Sequence, residues 1–295
     1  MTEAAEPVLP LLGRSAIVTG VSRRRGIGFA VARRLAELGA DLFVHHFAPH
    51  DRALPWGGDE LDAVFGELRA AQHGAARFGQ LSADLSDPEA PRQVIDAAVD
   101  AVGPARILVC NHARSGGDGS IFDMTAESLD SHWSVNARAT LVLTRHFADA
   151  FSSTVRGDVP TEPGVRQQTT GPHDEFQSGR VFWMTSGQLD GPMPGEVAYA
   201  ASKAALAGVT PTVASELLTR GILLNTINPG PVNTGYLDAD TSDRPLDEMQ
   251  KRLSSLAFGR FGEPADPARL IGWLATDEGR WIVGQVLTTD GGFRL

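Results

Sequence analysis

The chain has 295 residues, 42% of them hydrophobic and 21% charged, with a net charge of −10. That length suits one large α/β domain or two small ones, and the acidic balance argues against nucleic acid or an anionic membrane as the main partner. No apolar run approaches the ~20 residues of a membrane helix, and the start MTEAAEPVLPLLGR has neither the basic nor the apolar stretch of a signal peptide. The single cysteine, Cys110 in the run ILVC, excludes an internal disulfide and reads as a buried structural thiol; a cytoplasmic location is expected.

Residues 1–11 read as a flexible tail. From residue 12 apolar runs and helical patterns alternate, which predicts a single α/β domain, a Rossmann-type doubly wound parallel sheet of about seven strands. A strand at 15–19 leads through a glycine loop into a helix at 29–38, stopped by Gly39. A strand follows at 41–47, then a helix at 59–73 and a weak strand at 78–83. Asp87 reads as the cap of the next helix, with Pro88 at its first position and Glu89 in its first turn. A strand at 107–110 precedes a long helix at 126–151 that carries Asn136. The strand at 180–185 is followed by a second long helix at 197–219, which Pro211 should bend or leave with a gap in hydrogen bonding. A strand at 223–227, a helix at 265–276 and a strand at 285–289 complete the pattern. Residues 152–179, rich in Gly, Pro, Thr, Gln and Ser, read as a long surface loop. Residues 231–258, following Pro229-Gly230-Pro231, read as a lid over a substrate.

The first strand runs into Thr19-Gly20-Val21-Ser22-Arg23-Arg24-Arg25-Gly26-Ile27-Gly28 and then a helix. Glycines in that position let the backbone turn tightly against a pyrophosphate, which the free N–H groups and dipole of the helix N-terminus stabilise. The three arginines sharpen the reading. An acid at the end of the second strand would favour a ribose 2′-hydroxyl, but that end reads His45-His46-Phe47, without a carboxylate. Arginine makes bidentate phosphate contacts. The cofactor expected is therefore NADP(H) rather than NAD(H), with Arg24 and Arg25 as 2′-phosphate ligands ahead of Arg23, and His46 assisting.

Ser186 falls at the carboxyl end of the fifth strand, thirteen positions before Tyr199, and Lys203 lies four further on. Tyr199 and Lys203 share one helix face, a turn apart. Tyrosine, with a reference pKa of about 10, is a poor base at neutral pH, but a nearby ammonium favours its phenolate. It can then exchange a proton with a carbonyl or alcohol oxygen while hydride moves to or from a nicotinamide, and a serine hydroxyl can hold that oxygen.

Together these pieces resemble the short-chain dehydrogenase/reductase family over nearly the whole chain, from about Leu12 to Phe293. The matching segments are Thr19 to Gly28, Asp84 in ADLSD, Asn111 in CNHA, Asn136 in SVNA, Ser186 with Tyr199 and Lys203, and Asn228-Pro229-Gly230-Pro231-Val232-Asn233-Thr234. Around MTSGQLDGPMPGE and INPGPVNTG the wording is similar to bacterial sequences labelled 3-oxoacyl-carrier-protein reductases. The resemblance implies Tyr199 as general acid/base, Lys203 as the group that depresses its pKa and binds the nicotinamide ribose, and Ser186 as the orienter of the substrate oxygen. It implies that Asn136 holds a water linking Lys203 to solvent. It further implies Gly20, Ser22, Gly26, Ile27 and Gly28 around the phosphates, Asp84 and Leu85 at the adenine, and Asn111 beside the adenosine ribose. Ile227, Pro229, Gly230, Val232 and Thr234 would flank the nicotinamide. A homotetramer or homodimer, built from the two long helices and the C-terminal segment near 291–295, is implied as well.

Two departures from the family pattern stand out. Five residues, Val21 to Arg25, separate the first two loop glycines, more than is usual, and His112 replaces a small residue. His112 either packs or touches substrate. Arg114, Gln188, Met193 and Tyr236 are the other candidate substrate contacts, in a pocket expected to be mostly apolar. None of the eight histidines has a metal-ligand spacing, so no metal is expected. The function expected is NADP(H)-dependent reduction of a ketone, such as a 3-oxoacyl thioester or related carbonyl, to an alcohol, with a small-molecule carbonyl or alcohol as substrate. Two other functions stay open: an enoyl reductase, a branch whose tyrosine would stand where this chain has Glu196, and a non-catalytic NADP(H) sensor.

Overall fold

The computed structural model describes residues 9–155, 178–242 and 246–295, and of 152–155 only the backbone. Its strands are β1 (Ser15–Thr19), β2 (Asp41–His46), β3 (Phe78–Ser82), β4 (Ala105–Cys110), β5 (Gly179–Met184), β6 (Ile222–Asn228) and β7 (Val286–Thr288). The helices are α1 (Ile27–Glu37), α2 (Ala48–Arg52), α3 (Leu61–Ala70), α4 (Ala90–Val102), α5 (Ala126–His132), α6 (Ala139–Val155), α7 (Val197–Leu218), α8 (Asp247–Ser254) and α9 (Ala265–Ala275).

The strands form one seven-stranded sheet in the order β3-β2-β1-β4-β5-β6-β7, every pairing parallel. Alternate side chains of each strand point to opposite faces, so the sheet needs helices on both. Val18, Val44, Val109 and Phe182 pack toward α1 and α9, while Ile17, Phe43, Leu108 and Trp183 pack toward α4, α6 and α7. The chain winds outward from β1 to β3, then crosses back to β4 beside β1. That reversal opens a crevice at the carboxyl ends of β1 and β4, where open α/β sheets bind ligands.

Several expected boundaries shift. Residues 9–11, assigned to the tail, are packed: Leu11 is fully buried and its N–H donates to the Leu38 carbonyl at 2.9 Å. Glu89, not Asp87, occupies the N-cap position of α4, without a side-chain capping bond; the Asp87 carboxylate accepts from the Glu89 N–H at 2.9 Å and closes the turn before the helix. The helix expected at 126–151 is split by a π-helical turn, Trp133–Arg138, between α5 and α6. There the Thr140 hydroxyl donates to the Asn136 carbonyl at 2.8 Å, in place of part of the helical ladder. α6 continues to Val155 and β5 begins at Gly179, which trims the surface loop expected at 152–179 from both ends; residues 156–177 lie outside the described residues.

The segment expected as a lid contains α8, which sequence periodicity did not show. Its sign was electrostatic: Asp247 and Glu248 occupy the first turn, and Lys251 and Arg252 the last, each complementing the helix dipole. α7 runs unbroken through Pro211, whose missing N–H leaves one gap in its ladder. Among the described residues, no helix is long and apolar enough to cross a membrane.

Candidate active site

The crevice floor is the glycine loop between β1 and α1, braced from β4. The Asn111 side chain donates to the carbonyls of Thr19 and Gly20 at 3.2 Å each, and its N–H donates to the Thr19 hydroxyl at 3.0 Å. Gly28 lies so close beneath Gly20 that a Cβ on it would come 2.4 Å from the Gly20 carbonyl oxygen and 2.6 Å from the Asn111 amide nitrogen. Gly28→Ala is therefore expected to destabilise the protein by about 1–3 kcal/mol, the usual cost of overpacking, read as a lowered thermal midpoint. An unchanged midpoint would show that the loop can shift freely. Gly26 caps α1 without a side chain, so the first-turn N–H groups are open to an acceptor such as a pyrophosphate.

The arginines of the loop splay apart. Arg24 ion-pairs with Asp59 and Glu67, both at 3.2 Å, on the β2 side of the crevice. Arg25 makes a two-pronged pair with Asp238, at 2.9 and 3.3 Å, on the segment after β6. Arg23 is the one that turns inward: it donates to the Thr234 carbonyl, its guanidinium lies 6.0 Å from the Trp56 ring centre, and burial lowers its pKa. Ser22 donates to Asp51 of α2. The lengthened loop thus bridges both walls of the crevice, a role that the arginine run alone did not reveal.

His46 is a packing residue. It is buried, its Nε2 lies 2.8 Å from the Gln80 side chain, its ring stacks obliquely on Phe65, and burial lowers its pKa. His45, on the other face, sits 2.9 Å from the Ala83 carbonyl and burial holds its pKa at about 4, so it is neutral. Asp84 is exposed and accepts from the Ser86 N–H at 2.9 Å, while Leu85 beside it is buried.

The other half of the site is built on β5 and α7. Ser186 lies two residues past the end of β5 in an extended conformation and opens a short 3₁₀ turn, Gly187–Leu189; among the described residues its hydroxyl makes no hydrogen bond. Lys203 is buried, donates from Nζ to the Met184 carbonyl at 2.9 Å, and stands 5.8 Å from the Tyr199 ring centre. Burial lowers its pKa to about 8. Cys110 beneath it is also buried, which pushes its thiol up to about 12 and leaves it neutral. The Thr185 hydroxyl donates to the Lys203 carbonyl at 3.0 Å, locking the end of β5 to α7.

Asn136 joins this group, and its side chain bonds to protein at both its oxygen and its nitrogen. Its Oδ1 accepts from the Arg114 N–H at 2.7 Å, and its Nδ2 donates to the Ser202 hydroxyl at 2.9 Å and the Arg114 carbonyl at 3.2 Å. With its main-chain carbonyl taken by Thr140, Asn136 acts here as a clamp between the π turn, the segment after β4 and α7.

The expected substrate contacts separate into two groups. His112 packs: it is buried, with Nδ1 2.7 Å from the Thr19 hydroxyl and Nε2 3.0 Å from the Val135 carbonyl, so both nitrogens are used internally. Gln188 donates to the Thr185 hydroxyl at 2.9 Å and supports the strand end. Met193 and Tyr236 are half-buried, the latter with its ring 6.2 Å from that of Trp56. After β6, Pro229 is buried and Val232 pairs with Gly262 as an isolated parallel bridge at the base of the segment expected as a lid. Asp118, Asp190 and Asp238 escaped sequence reasoning, because each acts on a residue distant in the chain. Asp190, for example, accepts from the buried Asn228 side chain at 2.5 Å.

The family model described as enoyl-(acyl carrier protein) reductase matches residues 20–159 and 167–294. An uncharacterized oxidoreductase of Bacillus subtilis is 34% identical over 94% of this chain and 96% of its own length. The NADPH-dependent aldehyde reductase-like protein of Arabidopsis thaliana chloroplasts is 33% identical over 98% of this chain and 97% of its own. Among solved structures, a short-chain dehydrogenase from Burkholderia cenocepacia in complex with NADP superposes with a TM-score of 0.75 at 32% identity, covering 97% of this chain and 100% of that one. The chain belongs to the short-chain dehydrogenase/reductase family of oxidoreductases.

Proposed function

We propose that this protein is an NADP(H)-dependent reductase that converts a small carbonyl compound to an alcohol, with Tyr199, Lys203 and Ser186 as its catalytic residues. The observation that carries the reading is the pairing of Tyr199 with a fully buried lysine one turn along α7, beside the end of β5. Below about pH 8 the Lys203 ammonium favours the phenolate form of Tyr199, which eases proton release and return at the phenol oxygen. Ser186, with its hydroxyl uncommitted, orients the substrate oxygen. The nicotinamide, when bound, supplies the hydride. Gly20, Ser22, Gly26, Ile27, Gly28 and the α1 N-terminus would hold the pyrophosphate, and Asp84, Leu85 and Asn111 the adenosine. Pro229, Gly230, Val232 and Thr234, with Tyr199 and Lys203, would line the nicotinamide side.

Preference for NADP(H) is supported by the absence of a carboxylate at the end of β2, by the arginine loop, and by relatives named for NADPH or solved with NADP. The geometry divides the two arginines. Arg24 stands on the adenosine side, and its exposed carboxylate pairs, weak because they are solvated, exchange readily for a phosphate. Arg25 is tied instead to Asp238 on the segment after β6. Arg24→Ala is expected to raise KM for NADPH at least about tenfold and leave NADH nearly unchanged, the loss of one charge-assisted contact. Arg25→Ala should affect both cofactors alike. Steady-state kinetics with the two cofactors checks this, and the reverse pattern would exchange the roles.

Monitoring NADPH consumption with aldehydes, ketones, 3-oxoacyl thioesters and enoyl thioesters tests the function. Turnover of enoyl thioesters alone would favour the enoyl reductase that the family model's description names; Glu196 in place of a tyrosine argues against it. Binding without turnover across the panel would favour a sensor. Self-association, as homodimer or homotetramer, is part of the same reading. It is supported by the exposed Leu129 and Trp133 rimming a groove of about 300 Å³ against Ala198 and Ala201 of α7, and sedimentation velocity decides it.

A further inference from the structure

α7 begins without a cap of its own: Glu196 precedes it and its side chain caps nothing, so the first N–H groups of the helix need an acceptor from elsewhere. Asp118, on the segment between β4 and α5, provides one. One oxygen of its carboxylate accepts from the Tyr199 N–H at 2.7 Å, and the other accepts from the Ala198 N–H at 3.0 Å and the Gly119 N–H at 2.7 Å. The next peptide adds a third tie, with the Val197 N–H donating to the Gly119 carbonyl at 3.3 Å.

Tyr199 is therefore gripped at both ends of its own backbone. Its carbonyl accepts from the Ser202 hydroxyl at 2.7 Å, and Ser202 in turn accepts from Asn136. Asn136 also holds the Arg114 peptide by its N–H and carbonyl, which fixes the segment that carries Asp118. The frame closes on itself, from Asp118 through Tyr199, Ser202, Asn136 and Arg114 back to Asp118. A carboxylate suits this place better than a hydroxyl. It can accept from two adjacent N–H groups at once, its bonds are charge-assisted, and its charge complements the positive end of the helix.

We propose that Asp118 is a positioning residue for the reaction, setting the place of the Tyr199 phenol relative to Lys203 and Ser186 by fixing the first turn of α7. The proposal rests on the reading of Tyr199 as the general acid/base. Displacements of about 1 Å at a reacting group cost on the order of 10²-fold in rate.

The test compares Asp118→Ala with Asp118→Asn, because asparagine is also a good helix cap and keeps one acceptor. Asp118→Ala is expected to lower kcat on the order of 10²-fold while the NADPH dissociation constant, measured by fluorescence, stays near that of the unmodified protein. Asp118→Asn should restore most of the lost kcat. A second readout needs no turnover. The chain has only two tyrosines, so a Tyr236→Phe background leaves Tyr199 as the sole phenol, and its titration can be followed by ultraviolet difference spectroscopy. There Asp118→Ala should move the phenol titration to higher pH, as the phenol leaves the lysine. Unchanged kcat, an unmoved phenol titration, or a parallel fall of kcat and NADPH affinity in Asp118→Ala overturns the positioning role. Failure of the underlying reading looks different: Tyr199→Phe would keep its turnover.

Discussion

Replacing Tyr199 with phenylalanine is expected to lower kcat by about 10²–10⁴-fold, the usual contribution of a positioned general acid/base, with NADPH affinity close to that of the unmodified protein. Only the phenol oxygen is lost. The ring, its position 5.8 Å from the Lys203 ammonium, and the backbone bonds to Asp118 and Ser202 do not depend on that oxygen. The substitution is therefore expected to remove proton exchange while those backbone bonds stay in place. Single-turnover measurements with a reactive carbonyl, together with fluorescence titration of NADPH, check both halves. A variant that keeps most of its turnover would remove Tyr199 from the mechanism, and one that loses NADPH affinity in parallel would make it a binding residue.

The second large effect concerns stability, and its sign depends on pH. Lys203 has a folded pKa near 8, against an ordinary value of 10.5. Between these values the unfolded chain holds a proton that the folded protein has released, so stability rises with pH across this window. Below about pH 8 both states are protonated and the whole penalty is present. It amounts to about 3 kcal/mol, from about 1.4 kcal/mol per pH unit. Lys203→Met removes the buried charge in a side chain of similar length, but leaves the Met184 carbonyl without its donor, which costs about 1–3 kcal/mol. At pH 7 the cofactor-free variant should be more stable by up to about 2 kcal/mol and nearly inactive. At pH 10 the gain should vanish or reverse. Denaturant unfolding at the two pH values measures it. A loss of stability at pH 7, or an equal gain at both, would contradict the account. The expected result makes Lys203 a residue kept for chemistry at a cost in stability.

Much of this was legible before the fold was seen. The alternation of apolar strands and amphipathic helices located β1, β2, β4, β5 and β6 to within a residue or two, because strands buried on both faces read as predominantly apolar runs. The spacing of Tyr199 and Lys203 placed both on one helix face, since a helix repeats about every 3.6 residues. The π turn around Asn136 was not legible. A single wide turn changes the phase of a helix by one residue without any glycine or proline to mark it. α2, a single turn, and α8, short and polar, fall below the length at which periodicity speaks.

The roles of single polar side chains divide along the same line. Gly28 could be chosen from sequence, because close backbone contact in a strand-to-helix turn demands glycine wherever it occurs. His46, His112 and Gln188 could not be separated from ligand contacts, since nothing local tells a side chain which neighbour it will meet. The fold turned each toward an internal partner: Gln80, Thr19 and Thr185.

Sequence alone determined the class of fold, the order of its elements and the residues around which a site would form, because these follow from short-range periodicity and local backbone geometry. Tertiary structure decided which arginine faces inward, what Asn136 holds, and that Asp118 seats the helix of Tyr199. Those are contacts between segments from about 20 to more than 200 positions apart, brought together only when the sheet is complete.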